Sequence, residues 1–323
     1  RYYESQITSI FNFAFGNTSG KLMQVLRGAG NPNQVSTFAT ALEKADTAYL
    51  GANPNYIDAP FLSNHDVGRI AGFCGYDPLK TKLAGAMNLF MGGCAFIYYG
   101  EEIGMPGSGN DPSKRAPFFW NDARDNGTTN PPPECEIPEE YPFGSLEAQR
   151  GDDASLYNYY RQAVAIRQAL PAISHGRTTC ETALNVGCVS AFRKTWNDSE
   201  AIILMNIAPD AAQVDLSAYA DWTLAASPSA DGNEIVEYGA TKSENYNHAA
   251  NPKASIKLLA IGNSFSQDAI NNHLYEVLES AGYEEIVLGN MYIGGCSLDT
   301  HWNNLNGNLS AYQYQKNDDN GEW

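Results

Sequence analysis

Hydrophobic positions along the first 172 residues follow two periods, one helical and one typical of buried strands. The stretch "DPLKTKLAGAMNLF" predicts a helix with Asp77 as its N-cap and Pro78 at its first position. The apolar runs "YIDAPFLS" and "CAFIYYG" predict buried strands, the second closed by Gly100. "SLYNYYRQAVAIRQAL" predicts another helix, which Pro171 ends. The residues expected on the buried faces of these helices are Leu79, Leu83, Met87, Phe90, Leu156, Tyr159, Tyr160, Ala163, Ile166 and Leu170.

This alternation of helices and strands over residues 1–172 is typical of an α/β domain. One long segment, residues 104–152, interrupts it and is rich in Gly, Pro, Asn and Asp. A loop of this length is too long for a simple connection. We therefore expect it to form a functional lobe over a site.

The pattern changes twice after residue 172. From 173 to 246 the period shortens to two, and "GCVSAFRKTW", "EAIILMNIA", "AQVDLS" and "DWTLAAS" predict the strands of a small antiparallel β-sandwich. The polar residues 247–255 predict a linker. Residues 256–323 then open with the strand "IKLLAI", the helix "QDAINNHLYEVLESAG" and the strand "EIVLG", a short α/β fragment of the doubly wound, flavodoxin-like kind.

Composition narrows the possible functions. The net charge of −17 excludes nucleic-acid binding, because no basic stripe is present to neutralise phosphates. No apolar run reaches the roughly 18 residues of a membrane helix, so no membrane partner is expected. The six cysteines form no CxxC pair, and a metal site is not predicted from them. Cys180 and Cys188 either close a short loop in an oxidising compartment or remain thiols.

A polar trio, Asn64, His65 and Asp66, follows the apolar run "YIDAPFLS" directly. Side chains at the carboxyl ends of parallel strands converge on the ligand site of α/β folds. A carboxylate, an imidazole and an amide there suit hydrogen bonds to sugar hydroxyls, and the carboxylate suits a developing oxocarbenium ion. On spacing alone, an Asx turn that only caps the next segment is the favoured interpretation.

Four segments that follow one another in the chain favour the sugar-binding interpretation instead. "FLSNHDVGRI", "FMGGCAFIYYGEEIGM", "DPSKRAPFFW" and "SLYNYYRQAVAIRQALPAI" together resemble the C-terminal half of the α-amylase family, glycoside hydrolase family 13. The resemblance covers roughly residues 1–240, and "YYESQITSIFNFAFG" is similar to the segment after the fifth strand of the family. It implies a partial (β/α)8 barrel followed by a β-sandwich. It also implies a retaining glycoside hydrolase whose partners are α-glucans or maltooligosaccharides.

The resemblance also implies roles for individual residues. Asp66 is similar to the third catalytic carboxylate of the family, which binds sugar hydroxyls and stabilises the transition state. His65 is similar to its neighbour in the same subsite, and Asn64 is expected to bind substrate beside it. Arg115 is similar to a position in the loop after the eighth strand, with a structural or subsite role. Tyr98 in "FIYYG" is expected in the core or at its rim.

The carboxylates that a retaining glycosidase also requires, a nucleophile and a general acid about 5 Å apart, are not found in the sequence. The family carries the nucleophile in a "GxRxDxxxH"-type motif and the acid after a later strand, both in parts that would precede residue 1. A complete barrel takes about 250 residues, so about its last third is expected here. We expect the chain to be truncated, inactive on starch, and to expose part of the apolar barrel core.

A second motif, "LLAIGNSFSQDA", places Ser264 on a strand-to-helix turn. With "GNMYIGGCSLDTHW" it resembles the start of an SGNH-type serine hydrolase. The resemblance implies that Ser264 is the nucleophile and that Gly294 or Gly295 supplies an oxyanion amide. Asn263 replaces the usual Asp, and the later blocks of that family are absent, so we expect at most a remnant esterase-like site.

The sequence is compatible with three interpretations. The chain is part of an α-amylase-type glycosidase, a non-catalytic carbohydrate-binding protein, or an artificial join of two gene fragments. No cofactor is predicted with certainty, and a calcium ion in the 104–152 lobe is left open. Among compartments, secretion or the cell surface is favoured.

Overall fold

The computed structural model describes residues 3–5, 7–16, 18–125, 127–136, 138 and 141–222, the strands at 253–262, 283–292 and 313–316, and scattered positions after 262. The chain divides into two compact units, Arg1–Gly239 and Ala240–Trp323. No helix within the described residues is long and apolar enough to cross a membrane.

The first unit alternates strands and helices before it ends in a sheet. Its helices are α1 (Lys21–Arg27), α2 (Pro32–Val35), α3 (Thr37–Ala52), α4 (Ile70–Phe73), α5 (Pro78–Phe90), α6 (Leu146–Arg150), α7 (Leu156–Ala169) and α8 (Pro171–His175). Its strands are β1 (Ser9–Phe11), β2 (Ile57–Ala59), β3 (Arg177–Cys180), β4 (Val189–Trp196) and β5 (Ser199–Asn206). Short 3-10 helices cover Tyr3–Ser5, Pro112–Arg115 and Ser217–Tyr219.

Parallel pairing confirms the predicted α/β architecture. β1 pairs with β2 in parallel, with Ser9 opposite Ile57, and α1 to α3 lie between them in the chain. After α4 and α5, Phe96 forms a parallel bridge with Phe61. Each crossing from one strand to the next therefore passes through helices, as parallel strands require. This order brings the chain segments that follow Phe61 and Phe96 to the same edge.

The helix predicted from "DPLKTKLAGAMNLF" is present as α5. Asp77 is its N-cap and accepts a 3.1 Å hydrogen bond at Oδ1 from the backbone nitrogen of Lys80. Met87 and Phe90 are buried, as predicted, whereas Leu79 is 58% exposed. The prediction for Leu79 is wrong: the buried residues of α5 begin at Thr81, so the side chain at the second helical position stays outside the core.

We expect Asp77→Ala to destabilise the first unit by about 1 kcal/mol, because the backbone donor at the start of α5 loses its acceptor. This corresponds to a decrease in Tm of about 2–4 °C for a unit of this size. Asp77→Asn keeps a side-chain acceptor and is expected to stay within about 0.5 kcal/mol of the wild type. Thermal unfolding followed by circular dichroism measures both variants. Equal losses in the two variants would contradict this assignment of the cap.

The segment "CAFIYYG" is not the buried strand that its apolar pattern predicts. It touches the neighbouring segment through the Phe61–Phe96 bridge and two backbone hydrogen bonds to Asp58 and Pro60. Phe96 is 44% exposed and Ile97 37% exposed. Within the described residues this segment pairs with a strand neighbour on one side only, so its other backbone edge is open.

The main hydrophobic core runs from the helices into the antiparallel sheet without a break. It contains Phe38 of α3, Met87 of α5, Tyr160 of α7 and Phe192 of β4, all buried. The rings of Phe38 and Phe192 meet edge to face with centroids 6.2 Å apart. The core therefore crosses the predicted boundary between residues 172 and 173. A smaller core joins the 104–152 lobe to the residue before it and is built from Ile103, Met105, Ala116, Phe119 and Leu146.

The antiparallel sheet predicted after residue 172 has the order β3-β4-β5. The pairing of β4 with β5 runs from Val189 opposite Asn206 to Trp196 opposite Ser199. The strand predicted at "AQVDLS" is wrong: residues 211–216 are irregular and Ser217–Tyr219 forms a 3-10 helix. "DWTLAAS" lies mostly outside the described residues, so the second layer of a sandwich stays a prediction. Cys180 and Cys188 are free thiols.

The second unit contains a three-stranded sheet of order β6-β7-β8, formed by β6 (Lys253–Gly262), β7 (Tyr283–Tyr292) and β8 (Gln313–Lys316). β6 and β7 are parallel, as the predicted strand–helix–strand unit requires. β6 begins earlier than expected, within the residues predicted as a linker. β8 pairs antiparallel with β7 and was not predicted from the sequence.

Candidate active site

A tight turn displays the polar trio that follows the parallel strands. The side-chain oxygen Oδ1 of Asn64 accepts hydrogen bonds from the backbone nitrogens of Asp66 at 2.8 Å and Val67 at 2.6 Å. This is the Asx turn that spacing alone favoured. It uses the side-chain oxygen of Asn64 within the turn itself. The Asp66 side chain is exposed at this turn, whereas the His65 side chain is only 25% exposed.

Asp66 and His65 form a contact at the surface of this turn. Nε2 of His65 lies 3.2 Å from Oδ1 of Asp66, and the Asp66 side chain is 69% exposed. Burial lowers the pKa of His65, while the negative charge of Asp66 opposes this shift. A neutral imidazole that carries its proton on Nε2 donates to the carboxylate and leaves most of its acceptor sites open. An exposed carboxylate held in this way can accept hydrogen bonds from sugar hydroxyls.

Two cations from the 104–152 lobe contact Asp66, Lys114 at its backbone and Arg115 near its carboxylate. Nζ of Lys114 donates to the backbone oxygen of Asp66 at 2.8 Å. Nη2 of Arg115 lies 3.9 Å from Oδ1 of Asp66, which is longer than a charge-assisted hydrogen bond. Arg115 is held instead by Asp111, whose Oδ2 accepts from Nη1 at 2.6 Å. Hydrogen bonds from Arg115 and Lys114 lower the pKa of Asp111.

The structure thus brings the four predicted sugar-site residues, Asn64, His65, Asp66 and Arg115, to one place. Lys114 and Asp111 were missed, although both stand within a few residues of Arg115 in "DPSKRAPFFW". Their role was not visible because it depends on where the lobe folds back across residue 66. Ser264, Gly294 and Gly295 lie outside the described residues, so the proposed serine site stays a prediction from sequence.

A buried carboxyl group lies beneath the turn. Glu101 is fully enclosed, and its Oε1 accepts a 3.2 Å hydrogen bond from the Tyr160 hydroxyl. Burial raises the pKa of Glu101 to about 8, and hydrogen bonds from Ser63 and Tyr160 only partly offset that effect. The group is therefore protonated in the folded protein at neutral pH. The sequence does not predict the burial of Glu101, because "YYGEEIGM" carries two adjacent glutamates and no pattern that distinguishes one from the other.

We expect Glu101 to make the first unit less stable as pH rises from about 4.5 to about 8. Its folded-state pKa lies above the unfolded value of 4.5, so its contribution to stability is fully present below that value. The contribution is then lost as the unfolded state gives up a proton that the folded state keeps. Within this window the slope is about 1.4 kcal/mol per pH unit.

Glu101→Gln is expected to remove this slope, because glutamine does not titrate. Urea unfolding at several pH values between 5 and 8, compared with the wild type, measures the difference. Glu147→Gln, at an exposed glutamate of α6, is the control and should keep the wild-type slope. Identical pH profiles for wild type and Glu101→Gln would show that Glu101 is ionised in the folded state.

No cluster of three or more histidine, cysteine, aspartate or glutamate side chains suited to a metal ion occurs among the described residues. The exposed acids Asp111 and Asp125 of the lobe are bonded to Arg115 and Asn121, respectively. These contacts give no support to a calcium site in the described part of the lobe, and a calcium ion stays an open expectation.

In β/α barrels the catalytic residues follow the carboxyl ends of the strands, and glycoside hydrolases use carboxylates there, which is where Asp66 stands. Residues 2–176 match the family model for the alpha-amylase catalytic domain, which is more than half of the chain. The chain belongs to the alpha-amylase family. Residues 257–322 match a domain of unknown function, DUF4886, which does not test the SGNH resemblance.

Individual relatives agree with the family match. Alpha-amylase 3 of Dictyoglomus thermophilum is 39% identical over 127 residues, which are 39% of this chain and 25% of that protein. Alpha-amylase SusG of Bacteroides thetaiotaomicron is 29% identical over 188 residues, 56% of this chain and 27% of that protein. The structure of Eubacterium rectale Amy13B superposes with a TM-score of 0.64 and 40% identity, covering 68% of this chain and 43% of that one. The chain thus spans about a quarter of these curated relatives' length.

Proposed function

We propose that the first unit provides the Asp66 part of the sugar site of a retaining glycoside hydrolase that acts on α-glucans or maltooligosaccharides. One observation carries the proposal: the Asp66 side chain is 69% exposed in the turn after the parallel strands, while His65 contacts its carboxylate and Lys114 holds its backbone oxygen. Asp66 would bind sugar hydroxyls and stabilise the positive charge that develops in the transition state. His65 would bind the sugar in the same subsite.

Arg115 fits a subsite role in this proposal better than a chemical one. Its guanidinium is bonded to Asp111 and stays 3.9 Å from Asp66, so it lines the edge of the site without occupying the carboxylate. Asn64 supports the site mainly by forming the turn, because its Oδ1 is bonded to the backbone. Its amide nitrogen would be the group available to a sugar.

The 323 residues contain no segment that matches the nucleophile or general-acid motif of the family. We therefore propose that this chain by itself binds oligosaccharide without cleaving it. Calorimetric titration with maltoheptaose, paired with an assay for released reducing sugar, tests both parts. Binding without release supports the proposal. Measurable release would overturn the proposed inactivity, and the lack of any heat of binding would overturn the proposed sugar site.

A further inference from the structure

Arg69 is the largest fully buried side chain of the described residues, and it is charged. It lies close after Asp66 in the chain and is only 1% exposed. A guanidinium withdrawn from water is stable only if other groups replace its hydration. The groups that surround the Arg69 guanidinium therefore indicate its role.

Two adjacent tyrosines surround the Arg69 guanidinium. Its central carbon lies 4.8 Å from the ring centroid of Tyr98 and 4.6 Å from that of Tyr99. Nη1 of Arg69 also donates to the backbone oxygen of Tyr99 at 2.6 Å. Nε and Nη2 have no hydrogen-bond acceptor among the described residues, so ring stacking and this one bond set the orientation.

The same two tyrosines reach outward to the lobe. The Tyr98 hydroxyl donates to the backbone oxygen of Lys114 at 3.3 Å, and the Tyr99 hydroxyl donates to that of Ala116 at 2.9 Å. These two carbonyl groups flank Arg115 in the chain. The tyrosine pair therefore holds the backbone on both sides of Arg115 while its rings rest on Arg69.

The loop that follows encloses Arg69 on its other side. Ser108 donates through Oγ to the backbone oxygen of Arg69 at 2.7 Å. Gly107 has a φ of +140°, and a Cβ there would lie 3.0 Å from Cδ of Arg69. The cavity is therefore shaped around an arginine side chain. Substituting Gly107 would disturb both its backbone conformation and this contact.

From these contacts we infer that Arg69, Tyr98 and Tyr99 form a positioning clamp that holds Arg115 away from the Asp66 carboxylate. At 3.9 Å the two side chains do not form the bidentate pair that an arginine and an aspartate readily make. Such a pair would occupy the acceptor sites that sugar hydroxyls need. The clamp, together with Asp111, keeps those sites open. This inference rests on the proposed function of Asp66 as a sugar-binding residue.

The double variant Tyr98→Phe/Tyr99→Phe tests the clamp, because it keeps both rings over Arg69 and removes only the two hydroxyl groups. We expect its affinity for maltoheptaose to fall about tenfold, since the backbone around Arg115 is released and Arg115 closes onto Asp66. Tyr219→Phe is the matched control. It removes a 2.6 Å hydroxyl bond to Glu181 elsewhere in the first unit, and its affinity should equal that of the wild type.

A double-mutant cycle distinguishes the clamp from a purely structural role of the two tyrosines. If the tyrosines act through Arg115, the double Phe substitution has no further effect on affinity in an Arg115→Ala background. An equal loss of affinity in both backgrounds, or no loss in either, would overturn the clamp. Unfolding curves measured in parallel confirm that each variant is folded.

A second measurement tests the clamp in the absence of sugar. The pKa of His65 responds to Asp66, which raises it, and to Arg115, Lys114 and Asp111 nearby. When Arg115 closes onto Asp66, part of the charge that raises this pKa is neutralised, so the NMR titration midpoint of His65 falls in the double Phe variant. An unchanged midpoint would overturn the clamp. If the wild type binds no maltoheptaose, the proposed sugar site fails and this titration still decides the clamp.

Discussion

Replacing Asp66 with alanine is expected to weaken the binding of maltoheptaose by at least about 100-fold. Each hydrogen bond to a charged group contributes about 1.5–3 kcal/mol, and an exposed carboxylate can accept at least two from adjacent sugar hydroxyls. The substitution removes both acceptors. It leaves the turn intact, because Asn64 bonds the backbone nitrogen of residue 66 and not its side chain. Loss of affinity should therefore occur without loss of the fold.

Calorimetric titration of the wild type, Asp66→Ala and Asp66→Asn measures this effect. Asp66→Asn keeps one acceptor oxygen and the shape of the side chain, so its affinity should lie between the other two. Asp153→Ala, at an exposed aspartate before α7, is the matched control and should bind like the wild type. Wild-type affinity in Asp66→Ala would mean that any bound sugar contacts another part of the chain.

The largest effect on stability is expected from Phe192→Ala, which should destabilise the first unit by about 3–5 kcal/mol. Phe192 lies on β4, is fully buried and meets the ring of Phe38 from α3. Removing its ring leaves a cavity where the sheet and the helices share one core. Urea unfolding followed by circular dichroism and by tryptophan fluorescence measures the loss.

Leu204→Ala on the neighbouring strand β5 is the control, since Leu204 is 40% exposed and its loss should cost less than about 1 kcal/mol. Because the core is continuous, both optical probes should report one transition for the first unit in each variant. If Phe192→Ala separated the sheet from the helices into two transitions, the shared core would not couple them. That result would favour independent folding of the modules before and after residue 172.

The sequence predicted those features that local interactions decide. The period of α5 and α7, and the N-cap Asp77, depend on residues within one or two helical turns. The hairpin of β4 and β5 follows from two apolar runs joined by a short polar turn. The α-amylase family, and the Asn64–Asp66 segment within it, could be recognised because motif residues stand next to one another in the chain.

Only the tertiary structure decided how distant segments meet. Lys114 contacts Asp66 and Glu101 contacts Tyr160 across separations that no local pattern encodes. "CAFIYYG" has the apolar pattern of a buried strand, but whether such a strand is covered depends on its neighbours and not on its own residues. The burial of Arg69 likewise depends on the segments packed around it and not on its own position in the chain. Burial, pKa and the spacing of charges at the site are properties of the packed chain, while helices, turns and motifs are properties of its segments.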